Sequence, residues 1–378
     1  MVEFKTKSLG DLTSIMTKGI VPKYIEEASN STIVVLNQKC NRDFSVSLEQ
    51  SRLNDCSKRV VPSARMLRKY DVLINSTGTG TAGRVAQLFD VPEPMTIDSH
   101  MILIRPTDEI DPLYYGYAVK LHQAEIEFLA EGSTGQTEIN RKRLESEILI
   151  SFPENIAIQK QIGRFLYQID QKIWINTVIN DNLMQQATII FHEYFDEYDV
   201  INSTNIELGN IANFKYGTMP KKDKLGKGTH IVFSGYQIVG TYPECMFEDP
   251  QLIIVARGVG GCGDVKYAPP DCYLTNLSIA IITENTFYDD YIFHYLRLHD
   301  TKIMNTGSAQ PQITVSTLEK FRIPLPPKEK LIAFSELITP FKDMFRCNTR
   351  ETERLSLLRD ALLPKLMSGE LDVSSIDI

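Results

Sequence analysis

Two stretches of the chain carry apolar residues at helical spacing. In residues 154–199, Ile158, Ile162, Phe165, Ile169, Asn176, Ile179, Leu183 and Ile190 fall on alternating three- and four-residue steps, with a break at Lys172. In residues 328–378, Leu331, Phe334, Ile338, Phe341, Phe345, Asn348, Thr352, Leu355 and Leu362 do the same, with a break at Arg359. This is the spacing of a coiled-coil seam and predicts two long helices. The first would span about 65 Å at 1.5 Å per residue, longer than most helices inside one globular domain, which suits a spacer. Asn176 and Asn348 either pin the register of a shared seam or lie at its edge facing water. Ahead of each helix the pattern changes to short β-like runs separated by Gly and Pro: Thr32 to Leu36, Val72 to Asn75 and Met101 to Arg105, then His230 to Phe233, Leu252 to Ala256 and Leu277 to Ile282.

The plan is also written twice at the level of residues. Leu9-Gly10-Asp11-Leu12, followed by Lys18-Gly19 and Pro22-Lys23, returns as Leu208-Gly209-Asn210-Ile211, followed by Tyr216-Gly217 and Pro220-Lys221. Val72-Leu73-Ile74 leading into Gly78, Gly80 and Gly83 returns as Leu252-Ile253-Ile254 leading into Gly258, Gly260 and Gly263. Gly132-Ser133 with Gln136 and Ile139 returns as Gly307-Ser308 with Gln310 and Ile313. A repeat of this size sets the architecture. The expected fold class is α+β and internally duplicated: a globular domain over 1–153, a helix over 154–199, a second domain over 200–327, and a helix with a tail over 328–378. Two amphipathic helices of matched length bury their seams against each other only if they run antiparallel, so a pseudo-two-fold dumbbell is expected.

Composition narrows the function. The 378 residues include 40 Lys and Arg against 48 Asp and Glu, a net charge of −8, which argues against coating nucleic acid by bulk charge but leaves room for local basic faces. No apolar run approaches the roughly 18 residues of a membrane span. The first twelve residues carry Glu3, Lys5, Lys7 and Asp11 in place of a signal-peptide core, so a cytoplasmic protein is expected. The six cysteines form no C-x-x-C pair and read as reduced thiols, neither a zinc ribbon nor a disulfide framework.

Catalytic motifs do not survive inspection. Gly78 to Gly83 and Gly258 to Gly263 fit G-x-G-x-x-G, but that fingerprint needs a helix after the glycines, and Arg84 to Phe89 and Asp264 to Tyr267 read as strands. The glycines suit tight turns between strands; whether those turns also touch a phosphate backbone stays open. Gly226-Lys227-Gly228-Thr229 lacks the upstream glycine of a P-loop. Neither Pro-Pro pair sits in an amino-methyltransferase setting, and the six histidines read as core or surface residues. No metal site and no cofactor is expected on this chain.

Charge clusters point to phosphates. From Ser57 to Tyr70 there are five basic residues, Lys58, Arg59, Arg65, Arg68 and Lys69, with no acid; Lys215 to Lys227 holds Lys215, Lys221, Lys222, Lys224 and Lys227 against Asp223 alone. One such cluster in each half is an electrostatic footprint for nucleic acid. Polar residues suited to base edges or phosphates stand near them: Lys18, Lys23, Asn75, Thr77, Arg84 and Gln136 in the first copy, and Tyr236, Arg257, Lys266, Gln310 and Gln312 in the second. The competing reading is a two-domain coiled-coil scaffold for protein partners with no DNA readout.

The whole pattern resembles the specificity subunits of type I restriction-modification systems. Leu9 to Leu12, Asp71 to Asn75, Gly80 to Ala86, Gly132 to Gln136 and Pro153 to Gln161 are similar to that family's recurring segments, as are Leu208 to Ile211, Gly307 to Ile313 and Pro326 to Lys330. The closing stretch Leu355 to Leu371 resembles the family's C-terminal motif most specifically. Two positions depart: Lys330 replaces a usual Gln, and Asp264 replaces a usual basic residue. The resemblance implies a non-catalytic subunit with two target recognition domains, each reading half of a split, asymmetric sequence in double-stranded DNA. The helices would fix the unread gap and dock two methyltransferase subunits. Those partners would bring S-adenosylmethionine and methylate adenine at N6, and restriction-motor subunits would join to cut unmodified DNA.

Overall fold

The structure, a computed structural model, describes residues 2–132, 137–195, 204–258, 261–305 and 311–371. The chain forms two compact units, one from 1–177 with 350–378 and the other from 178–349. Each long helix, Ile156–Tyr194 and Lys328–Met367, therefore gives one half to each unit. Thirty-nine residues of the first correspond to about 58 Å. The second continues through Pro340 and Pro364, each of which removes a backbone donor. Among the described residues no helix is long and apolar enough to cross a membrane.

The first unit is built on a four-stranded antiparallel sheet in the order Thr13–Lys18, Met101–Pro106, Val72–Asn75, Val85–Gln87. Its inner strands read as unbroken apolar runs because both faces are covered. Val72, Ile74, Ile102 and Ile104 face a core shared with Tyr114, Tyr117 and the long helices, while Leu73, Met101 and Leu103 face a second core with Leu36, Met95 and Ile97. Successive side chains point to opposite faces, so one strand serves two cores. The second core is closed by a smaller sheet in the order Met95–Ile97, Thr32–Leu36, Arg52–Asp55, Tyr24–Ile25.

The second unit repeats the order of the main sheet, and among the described residues its smaller sheet has three strands in place of four. Its main sheet runs Ala212–Tyr216, Ser278–Thr283, Gln251–Val255, Val265–Ala268, and its smaller sheet runs Ile238–Tyr242, His230–Phe233, Cys272–Leu274. Leu252 and Ile254 face one core and Ile253 the other. In both copies a helix packs on the main sheet and anchors a tyrosine to a separate two-stranded ladder, Phe4–Ser8 with Leu149–Pro153 in the first unit and Thr204–Glu207 with Arg322–Leu325 in the second: Tyr114 donates to the Ser151 carbonyl at 2.9 Å, and Tyr291 donates to the Pro324 carbonyl at 2.5 Å. The first of these helices, Pro112–Leu121, starts where Asp111 accepts from the Leu113 and Tyr114 amides and Pro112 opens the turn.

Within each unit the halves of the long helices run antiparallel. In the first, Asp170 meets Arg359 and Asn176 meets Glu351; in the second, Asn180 meets Asn348 and the Phe191 ring lies 5.5 Å from Phe334. Ile162, Ile169 and Ile338 are buried seam residues, whereas Phe165, Leu183, Phe341, Phe345 and Leu355 are half-buried. Asn176 and Asn348 are both buried, so neither faces water. Asn176 donates to Glu351 at 2.8 Å and Asn348 to the Asn180 side chain at 2.9 Å. Ile179, expected in the seam, is instead 38% exposed. The buried positions step 169, 176, 187, seven then eleven residues, which follows the 3.6-residue turn. A strict heptad drifts around that turn and carries Ile179 outward.

Candidate nucleic-acid interface

In both copies the glycine-rich segment joins two antiparallel strands, as the strand that follows each requires; in the second copy residues 259–260 lie outside the described residues. Gly78, Gly80 and Gly83 take positive φ (115°, 70° and 87°), and a Cβ on Gly83 would lie 2.6 Å from the Glu127 Cα. Strands Val85–Gln87 and Val265–Ala268 follow the two turns, so no helix N-terminus is available for a pyrophosphate.

Around the turn of the second unit the fold gathers four expected readers. Tyr236 donates its phenol to the Arg257 carbonyl at 2.7 Å, and the Lys266 ammonium stands 5.9 Å from the Tyr236 ring centroid. Arg257 pairs with Gln312 in an isolated β-bridge, and the Gln312 amide donates to Asn305 at 2.7 Å. Tyr236 and Arg257 are exposed; Lys266 and Gln312 are half-buried. Gly258 makes the approach possible: at φ 127° a Cβ there would lie 2.3 Å from the Tyr236 hydroxyl. Partial burial, then the nearby Cys262 and Asp264, raise the Tyr236 phenol, so it stays a hydrogen-bond donor at neutral pH. Asp264 lies 3.8 Å from Lys266, tempering the charge where the first copy has Arg84.

The lysine run lies on the same small sheet. The Gly226 amide donates to the Thr241 carbonyl and the Lys221 amide to the Tyr242 hydroxyl, laying the loop along the strand that leads away from Tyr236. Lys221, Lys222 and Lys227 are exposed, while Lys224 is paired with Glu244. Lys215 is exposed on Ala212–Tyr216, in the main sheet and away from this loop in topology.

The first unit arranges its candidates differently. Thr77 shares a 2.9 Å hydrogen bond with His100 and bridges to Glu138, which also takes the Lys18 ammonium. Arg84 folds back on its own turn, donating to the Gly80 carbonyl at 3.2 Å. Of the basic segment, Lys58 pairs with Asp55 at 3.1 Å, Arg59 is exposed and Arg65 is half-buried at the end of the short 3-10 helix Ser63–Arg65. Lys23 is exposed. Asn75 corrects the sequence reading: it is fully buried in strand Val72–Asn75 and donates to the Gln38 carbonyl at 3.1 Å, so its amide serves the chain and not a base. Gln136 and Gln310 lie outside the described residues.

Pattern reading missed the polar links between each domain and its helices. Gln159, buried in the first turn of its helix, accepts from the Asp111 amide at 2.8 Å and donates to the Pro153 carbonyl at 2.7 Å. Asp290 accepts from Ser335 at 2.5 Å and from Lys342 at 2.6 and 2.7 Å. A charged residue on a domain helix facing another on a seam carries no local signature.

The model of the type I restriction modification DNA specificity domain matches residues 1–185 and again 201–355. These two copies cover most of the chain, which belongs to that family. It is 21% identical to a protein described as the MjaX type I restriction enzyme specificity subunit of Methanocaldococcus jannaschii, over 99% of this chain and 95% of that protein. It is 22% identical to the MjaIX specificity subunit of the same organism, over 87% and 83%. The fold is similar to the crystal structure of the type I S subunit from M. genitalium, with a TM-score of 0.59 and 18% identity, covering 97% of this chain and 96% of that one. The chain is thus a DNA specificity subunit of a type I restriction-modification system, and it is non-catalytic.

Proposed function

We propose that each unit reads one half of a split DNA sequence, and that the long helices set the unread gap and hold two methyltransferase subunits. The observation that carries this is a shared topology with unlike readers. Both units repeat the order of the main sheet, yet Tyr236, Arg257, Lys266 and Gln312 surround the turn in one, while Thr77, His100 and Arg84 stand at it in the other. Unlike side chains on like frames favour an asymmetric bipartite target, since Arg and Gln edges read different bases.

The helices suit docking because they expose apolar side chains that the fold leaves uncovered. In the first unit Trp174, the chain's single tryptophan, is 62% exposed and Leu357 71% exposed. Exposed aromatic and aliphatic anchors are favoured interface residues. The partners would supply S-adenosylmethionine and transfer its methyl group to adenine N6, with restriction-motor subunits joining in a cutting complex. Selection from random double-stranded DNA by the chain together with its methyltransferase tests the reading. Two short conserved blocks at a fixed gap are expected; a single contiguous block, or no enrichment, would contradict it.

A further inference from the structure

The smaller sheet of the second unit brings His230, Cys245 and Asp271 together with one donor atom from each, all within 4.8 Å of one another. They come from three separate backbone segments that are tied to each other. His230–Phe233 pairs in parallel with Cys272–Leu274, and the Ile231 amide donates to the Asp271 carbonyl at 3.2 Å. The segment after Cys245 is fixed to the same edge: Met246 and Phe247 donate to the Cys272 carbonyl at 2.9 and 3.2 Å, and Asp271 donates to Glu248 at 3.1 Å. His230 and Cys245 are half-buried and Asp271 is exposed.

The duplicated fold does not need this trio. By strand register, Ile231 opposite Cys272 corresponds to Val34 opposite Met95 in the first unit. The places of His230 and Asp271 are there taken by Ile33 and Pro94, which offer no ligand atom. His230 and Asp271 are thus additions to the second domain. Asp271 also holds a positive φ of 52°, an uncommon conformation for a residue other than glycine.

We propose that His230, Cys245 and Asp271 bind one zinc ion, with water as the fourth ligand. A thiolate, an imidazole and a carboxylate form a donor set suited to a borderline-soft cation and ill suited to magnesium or calcium. Zinc bonds of roughly 2.0–2.3 Å put tetrahedral ligands about 3.5 Å apart, so side-chain rotations of about 1 Å close the site. On binding, Cys245 forms a Zn–S bond and its Sγ proton passes to solvent; the thiol now donates to the Phe247 carbonyl at 3.1 Å. The ion would staple the segment of Glu244 and Cys245 to the sheet. Glu244 holds Lys224, so the staple would steady the lysine loop.

The test uses the full chain, stripped of metal with a chelator and titrated with Co²⁺ and then Zn²⁺. One equivalent of Co²⁺ is expected to give thiolate charge-transfer absorption in the near ultraviolet and four-coordinate bands in the visible, both erased by Zn²⁺. Cys245→Ser should abolish the charge-transfer band while far-UV circular dichroism stays unchanged. Absence of the band in the native chain, or its persistence in Cys245→Ser, overturns the proposal. Should that variant fail to fold, His230→Asn and Asp271→Asn decide: each should weaken Zn²⁺ binding by at least about tenfold, the lower range for perturbing a metal's supporting groups. Unchanged affinity in both overturns the site.

Discussion

Arg359, on the second long helix, donates to Asp170 on the first across 2.7 Å, at the position where the apolar pattern breaks. The other carboxylate oxygen of Asp170 accepts from Tyr117, on the domain helix, at 2.6 Å. One carboxylate thus joins both long helices to the domain. The other break, Lys172, is used in the same way, through Glu351 at 3.1 Å. Both interruptions of the seam are cross-helix ion pairs.

Removing one partner of this link should cost more than removing both. Arg359 and Asp170 keep 17% and 15% of their side-chain exposure, between the exposed and buried limits for ion pairs. Arg359→Met is expected to destabilise the first unit by about 2 kcal/mol. Asp170→Asn with Arg359→Met should recover most of that loss, because no charge is left without a partner and the Tyr117 hydroxyl keeps an acceptor. Urea unfolding of the four members of the cycle checks this; additive single effects would mean that the pair is not coupled.

Lys221, Lys222 and Lys227 are exposed on the loop beside Tyr236. Their replacement by Ala should weaken DNA binding about equally for all sequences. The slope of log affinity against log salt should flatten by up to about 0.9 for each phosphate no longer neutralised. Titrations from low to high salt read this directly, and an unchanged slope would make the loop a solvated face.

The turn of the second unit should behave differently. Arg257→Ala is expected to relax selectivity at a position in one half-site, by about 1–3 kcal/mol for a base edge no longer read, and leave the other half-site unaltered. Selection of bound sequences by variant and native chains makes the comparison. Weakening spread evenly over both half-sites would place Arg257 on the backbone of the DNA or outside the interface.

The second unit carries two titrating groups of opposite sign. His294 is buried against Phe191 and Phe334; burial, then Arg297 and Lys342, bring it down to about 4. Its unfolded form takes up a proton near pH 6.5, so the native state loses stability as pH falls from about 6.5 to 4, by up to about 3 kcal/mol. Burial raises Asp289 to about 6 despite its bond from Thr283. The native state then holds the proton more firmly than the unfolded chain, so stability falls as pH rises from about 4 to 6, and the two trends offset. Asp289→Asn removes one, and its unfolding free energy should drop more steeply than that of the native chain between pH 6 and 4. Parallel profiles in urea denaturation would contradict this.

The sheet strands were legible because their apolar runs are long and bounded by glycine or proline. Val72 to Asn75 and His230 to Phe233 are strands over those residues, and the glycine turns were separable from a nucleotide loop by the strands that follow. The seam was legible in its apolar members and misplaced at Ile179, since heptad counting assumes 3.5 residues per turn. Asn75 was misread because a buried amide and a base-reading amide look alike without a partner in view. Lys18 also reads as free, yet it is held by Glu138, 120 positions away. The meeting of Tyr236, Arg257, Lys266 and Gln312 is likewise long-range: the bridge from Arg257 to Gln312 leaves no trace in local spacing.

The most direct test of two domains reading one split site is a genome-wide map of N6-methyladenine in cells that hold the cognate methyltransferase. The map is taken with this chain, without it, and with matched seven-residue insertions in both long helices. A split motif of two short blocks is predicted, and it should vanish when the chain is deleted. Seven helical residues add about 10 Å, so the insertions should keep both blocks and widen the gap by about three base pairs, at roughly 34 Å per DNA turn. A motif that survives deletion, or a gap that stays the same while the inserted chain still directs methylation, would contradict it.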